Sequence, residues 1–289
     1  MPPSEHEETP VPGTAAEDGR RKLGAYEGDN RPAPPAMQAE FYTHIARALS
    51  AERLDAYAGD QASPTVTLAR YLLNLALCES LYSPLQLCEV ALRNSLHQHL
   101  AGLVGSEFWF DTPAFSLTPW AVEEVRKAKA KIAREHRPVT AGRIVAELQF
   151  GFWTSLFEAH YEQNPTRFLP TGIRAVFPRL PKSRHHRKEL KRTLEEIRAL
   201  RNRVFHHERI VHWQDLDTKH AAILEVIGWV SPELHEMALA LDRFSAIRQA
   251  GLAPWLAKLC THWPPTPPPQ PAAPPAPPPP KPLPAPPPS

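Results

Sequence analysis

Arg201, Asn202, His206 and His207 fall within one seven-residue stretch, and together they form a kit for phosphodiester chemistry. The planar, permanently charged guanidinium matches phosphate oxygens. The carboxamide can hydrogen-bond a phosphate or hold an imidazole in one tautomer. Imidazole, as a side-chain type, gains and loses its proton near neutrality and so serves as either base or acid. RNA carries its own nucleophile, the 2′-hydroxyl. What remains is to remove that proton, to steady the extra charge on phosphorus and to protonate the leaving 5′-oxygen.

The helix that must position these groups is legible in its apolar spacing. Leu190, Leu194, Ile197, Leu200, Val204 and Phe205 lie on one side of a 3.6-period wheel, and Arg201 falls inside that arc. A buried guanidinium is costly unless it is paired or borders a cleft or interface. One reading is a structural arginine paired to a carboxylate on a neighbouring helix, with the histidines at a frayed end. The other is a site. On an unbroken helix five residues turn about 500°, which leaves His206 roughly 140° from Arg201. A shared cleft therefore needs the helix to bend or end near Phe205, or needs two copies to meet about a two-fold axis.

The string Leu-Arg201-Asn202-Arg-Val-Phe-His206-His207-Glu-Arg-Ile resembles the R-x4-H signature of HEPN-superfamily ribonucleases, and in particular their Abi-like (abortive infection) branch. Three further elements occur in matching order: Glu89-Val-Ala-Leu-Arg93-Asn94, the pair Trp109-Phe110, and the aromatic run Leu148 to Trp153. The likeness covers roughly 65–230. It implies an all-α, HEPN-like helical bundle with additional helices. It also implies catalytic roles for Arg201, Asn202 and His206 with His207 as helper, and a homodimer with the motif at its interface. Some members carry a tyrosine two residues after the histidine as a target for antitoxin modification; here that position is Glu208.

Other clusters were weighed beside this one. Glu89 and Arg93 have the i,i+4 order of an intrahelical ion pair; the alternative is that Glu89, Arg93 and Asn94 line the same cleft. His97 and His99 lie about 200° apart on a helix, and no H-E-x-x-H or comparable spacing appears, so no metal and no cofactor are expected. Phe150, Trp153 and Phe157 repeat at i, i+3, i+7 and read as core, as do Trp109 and Phe110. Between Arg179 and Arg203 ten Lys or Arg face three Glu, a local excess of +7 (10 − 3) in a chain whose net charge is +2. Arg184, Arg187, Lys188, Lys191 and Arg198 from this run are the candidate RNA contacts; a solvated helix face is the competing reading.

The ends of the chain have a different composition. Residues 264–289 contain 17 prolines and read as an extended, disordered tail. Residues 1–36 mix Pro, Gly and acidic side chains and read as a disordered leader. Between them, 37–263 holds the apolar residues of one helical domain. Helices are expected near 38–58, 66–80, from Ser83-Pro84 to Gly105, from Thr118-Pro119 towards His136, and at 142–160, 184–205 and 217–229. A last one runs from Ser231-Pro232 through Leu234, Met237 and Leu241 to Phe244. Cys78, Cys88 and Cys260 form no C-x-x-C pair, and neither a signal peptide nor a membrane span is visible, so a reduced, cytoplasmic setting is expected.

The leading expectation is a metal-independent endoribonuclease of a toxin or anti-phage abortive-infection system. Two alternatives stand beside it. One is a non-catalytic RNA-binding module. The other is a scaffold whose proline-rich tail recruits a polyproline-binding partner; an antitoxin is a further expected partner.

Overall fold

The computed structural model describes residues 39–59, 62–113, 115–163 and 168–262. The expected leader (1–36) and proline-rich tail (264–289) lie outside them. Every regular element among the described residues is helical: α1 (Ala39–Leu49), α2 (Ala51–Ala58), α3 (Pro64–Val104), α4 (Pro119–Arg134), α5 (Ala141–Glu147), α6 (Phe150–Ser155), α7 (Phe168–Val176), α8 (Arg187–Phe205), α9 (Leu216–Val230), α10 (Pro232–Leu241), α11 (Phe244–Ala250) and α12 (Ala253–His262). Single 3₁₀ turns occur at 109–111, 159–162 and 182–184. The all-α expectation holds, and no described helix is long and apolar enough to cross a membrane.

The domain is organised on α3, 41 residues long and so about 60 Å from end to end. It packs against α2 and against each helix from α5 to α12. Ser63 caps its start through Oγ, and Gly105, in the left-handed region at φ 75°, closes it. The expected boundary at Ser83-Pro84 is absent. Proline withholds the N–H that would have bonded the Ser80 carbonyl, yet the helix runs on. The reason is tertiary: Leu77, Leu81, Leu85, Cys88, Leu92, Leu96 and Leu100 form one buried stripe through Pro84, and a break would have split it.

Two other expected helices are divided. At 38–58 the chain turns at Ser50 (φ 68°), whose Oγ accepts from the Arg53 N–H. At 142–160 the extended Leu148 (φ −69°, ψ 128°) separates α5 from α6. Phe150 and Phe152 are both almost fully buried, although they point about 200° apart on a helix. The short α6 therefore lies inside the core on all sides, which a long amphipathic helix does not do. Phe150, Phe152, Trp153, Phe157, Trp109 and Phe110 are all core, as expected. The last expected helix also breaks, at Asp242-Arg243. Phe244 is buried at the start of α11, while Met237 and Leu241 are exposed.

A smaller cluster of Leu54, Tyr57, Leu68, Ala69, Tyr71 and Leu259 joins α2, the first third of α3 and α12. The thiols of Cys78 and Cys88 are free. Burial pushes them up to about 11 and about 12 respectively, so they stay protonated and unreactive.

Candidate functional site

α8 ends where the motif begins to matter. Its buried face is Leu190, Leu194, Ile197, Leu200 and Val204, and Phe205 is its last residue. His206 caps it, its N–H reaching Asn202 O and Val204 O. His207 sits in the left-handed region at φ 58°. The His207 N–H bonds Val204 O (3.2 Å) and the Glu208 N–H bonds Arg203 O (2.8 Å), which together make a complete Schellman closure. The helix thus ends at Phe205: the His206 N–H still keeps the helical bond to Asn202 O, while His207, in the left-handed region, leaves the helical rotation.

This turn is held from three sides by residues that spacing alone did not single out. Arg53 on α2 donates from Nη2 to the His207 carbonyl. Arg209 reaches back to Ala56 O. Asn74, only 2% exposed on α3, accepts at Oδ1 from the Ile210 N–H (2.7 Å) and the Val211 N–H (3.1 Å), and donates from Nδ2 to Glu208 O (3.4 Å). A signal for Asn74 existed: one carboxamide inside the apolar run Tyr71–Leu77 needs buried partners. Among the described residues the hydrogen-bond partners of Arg53 and Arg209 are carbonyl oxygens rather than carboxylates.

Arg201 lies half-buried at 22% exposure and pairs through Nε with Glu89 Oε2 on α3 at 3.2 Å, Glu89 being 15% exposed. This is the neighbouring-helix carboxylate of the structural reading, and it replaces the expected Glu89–Arg93 pair. The carbon of the guanidinium stands 4.4 Å from the centroid of the Phe205 ring. Nη1 and Nη2 hydrogen-bond no described residue, and neither is among the fully enclosed unpartnered atoms of the described residues.

The remaining candidates divide. Asn202 is partly buried and His206 and His207 are exposed; none of the three side chains has a hydrogen-bond partner among the described residues. Arg93 is partly buried with an unpartnered Nε, and Asn94 is exposed. Of the Glu89–Arg93–Asn94 set, Glu89 alone touches the motif. Most of the basic stripe is paired internally: Arg184 with Glu225, Arg187 with Glu162, Lys191 with Glu158 and Glu195, and Arg198 with Glu195. Burial pushes the Glu195 carboxyl up, but hydrogen bonds from Lys191, Arg198 and Thr154 more than reverse this and hold it below its usual range. Lys188 is exposed. Three carboxylates from outside the counted window, Glu158, Glu162 and Glu225, therefore offset part of the +7 excess read from sequence.

Beside the turn an open groove of about 470 Å³ is lined by Leu75, Cys78, Tyr82, Ser83, Val204 and Phe205, with His207 and the Glu79–Arg243 ion pair (2.9 Å) at its edge. Tyr82 stacks on Phe205, centroids 5.1 Å apart and planes 22° off parallel. Compared with family models, curated proteins and solved structures, the chain matches none.

Proposed function

We propose that the chain is a metal-independent endoribonuclease of the HEPN, Abi-like type, with an HEPN-like bundle around α3 and α8, acting as a homodimer in the cytoplasm. The observation that carries this reading is the state of Arg201. Its Nε is held by Glu89, its central carbon stands over the Phe205 ring, and its two outer nitrogens, with no hydrogen-bond partner among the described residues, have the geometry to take two oxygens of a phosphate. Arg53 and Arg209 add positive potential beside the same turn.

In the proposed reaction an imidazole from His206, or from His207 as helper, removes the 2′-hydroxyl proton. The 2′-oxygen bonds to phosphorus and the bond from phosphorus to the 5′-oxygen breaks. A second imidazole, protonated, gives its proton to the leaving oxygen. The products are a 2′,3′-cyclic phosphate and a 5′-hydroxyl, with no oxidant, water or metal in the balance. Arg201 and Asn202 steady the pentacoordinate charge. In a two-fold dimer, base and acid can come from opposite copies. The biological setting under this reading is abortive infection or growth arrest by a toxin, restrained by an antitoxin through a route other than modification at Glu208.

A non-catalytic RNA-binding module is the second reading, favoured by one observation: neither imidazole has a hydrogen-bond partner among the described residues to fix its tautomer. The two separate cleanly. Full-length protein incubated with total RNA in EDTA should release fragments whose 5′-hydroxyls can be labelled directly by polynucleotide kinase, and Arg201→Ala and His206→Ala should each abolish them. RNA that is retained but stays intact would leave the binding module standing and end the nuclease reading.

A further inference from the structure

The groove beside the motif has an unusual make-up for a surface feature. Tyr82 lends one face to Phe205, yet 49% of the residue remains exposed. Phe205 in turn touches the Arg201 guanidinium. A cation, an aromatic ring and a second, half-open aromatic ring thus follow one another from the motif to the groove, Arg201 standing outside the groove lining and behind Phe205. Tyr82 and Glu89 lie seven residues apart on α3, two turns and about 10 Å along one face. The ring platform and the carboxylate that holds the fork are therefore carried by the same helix face. The volume, about 470 Å³, is in the range of small-ligand sites, and Ser83, His207 and the Glu79–Arg243 pair supply donors and acceptors at its edge.

Resting on the ribonuclease reading above, we infer that this groove is the subsite for a nucleobase next to the scissile phosphate, with Tyr82 as its stacking platform. A ligand that offers a planar ring to Tyr82 and, past Phe205, an anion to Arg201 is a short stretch of nucleotide chain. The base must be unstacked to enter, so the substrate is single-stranded RNA or a loop. The proline-rich segment 264–289 could fill an aromatic groove, but it contains no Asp or Glu and offers the adjoining fork no counter-charge. Tyr82 is on this view a specificity-determining residue that never touches the reacting atoms.

The test uses full-length His206→Ala protein, which should bind without cutting, and a short single-stranded RNA containing 2-aminopurine. Binding should quench the 2-aminopurine. Adding Tyr82→Ala should remove the quenching and raise Kd roughly 5- to 100-fold, the loss of one base stack, with unchanged thermal melting. Tyr82→Phe, which keeps the ring, should behave like its parent. If Tyr82→Ala binds and quenches like its parent, the subsite is overturned while cleavage by the wild-type chain stands. If a peptide of residues 264–289 occupies the groove and displaces no RNA, the subsite is likewise overturned. If the wild-type chain neither binds nor cuts RNA, both readings fall together.

Discussion

Glu89 and Arg201 are 112 residues apart in the chain and 3.2 Å apart in space. Their exposures, 15% and 22%, put the pair between a buried bridge and a screened surface one. A double-mutant cycle with Glu89→Ala and Arg201→Ala in urea should give a coupling of about 1–2 kcal/mol. Arg201→Lys keeps the charge but loses the planar contact with Phe205, and should cost about 1 kcal/mol. A coupling near zero would show that the contact does not organise the motif.

Asn74 should matter more to the turn than any residue in the motif. Asn74→Ala strands the backbone N–H groups of Ile210 and Val211 in or near the core. We expect a loss of about 2–4 kcal/mol and much faster amide exchange at those two positions. Exchange rates equal to those of the parent would refute the clamp.

Left-handed histidines end two helices, His207 after α8 and His136 after α4. Glycine carries no Cβ penalty there, so each histidine-to-glycine change should stabilise the fold by about 0.5–1 kcal/mol, measured by thermal melting. His136→Gly, remote in sequence from the motif, should leave RNA cleavage unchanged.

His99 gives the protein a pH signature. Its Nε2 is buried without a hydrogen-bond partner among the described residues, the ring lies 5.8 Å from that of Phe168, and Gly172, where a Cβ would fall 3.2 Å from Nε2, lets α7 come that close. Burial lowers its pKa below 6.5, so the unfolded chain takes up this proton first. The contribution is complete above about pH 6.5 and is lost as pH falls through the lower folded value. Urea midpoints should therefore drop from pH 7 to pH 5, and His99→Leu should flatten part of that drop. An identical slope in the variant would assign the effect to other groups.

Local signals were read well and distant ones were not. Thr118-Pro119 and Ser231-Pro232 start α4 and α10, and Gly105 ends α3, because caps act within one turn. Ser83-Pro84 carries the same local signature, but the leucine stripe from Leu77 to Leu100 overrides it; that stripe was itself visible in the sequence. An arginine on an apolar face needs a partner, and that need is legible in the spacing of α8. That the partner is Glu89 depends on how α3 and α8 pack, which no spacing within either helix encodes. The partial neutralisation of the basic stripe is hidden for the same reason, since Glu158, Glu162 and Glu225 arrive from other segments.

The two supports of the motif stand on opposite sides of Pro84: Asn74 ties down the imidazole-bearing turn, and Glu89 tethers the cation. A proline inside a helix, lacking one ladder hydrogen bond, is the usual place for a bend. The gap between charge and proton carrier is thus ruled off along a single rod at a joint. Straightening or sharpening that joint would alter the gap without disturbing either tether, much as bending one arm of a caliper resets its jaws.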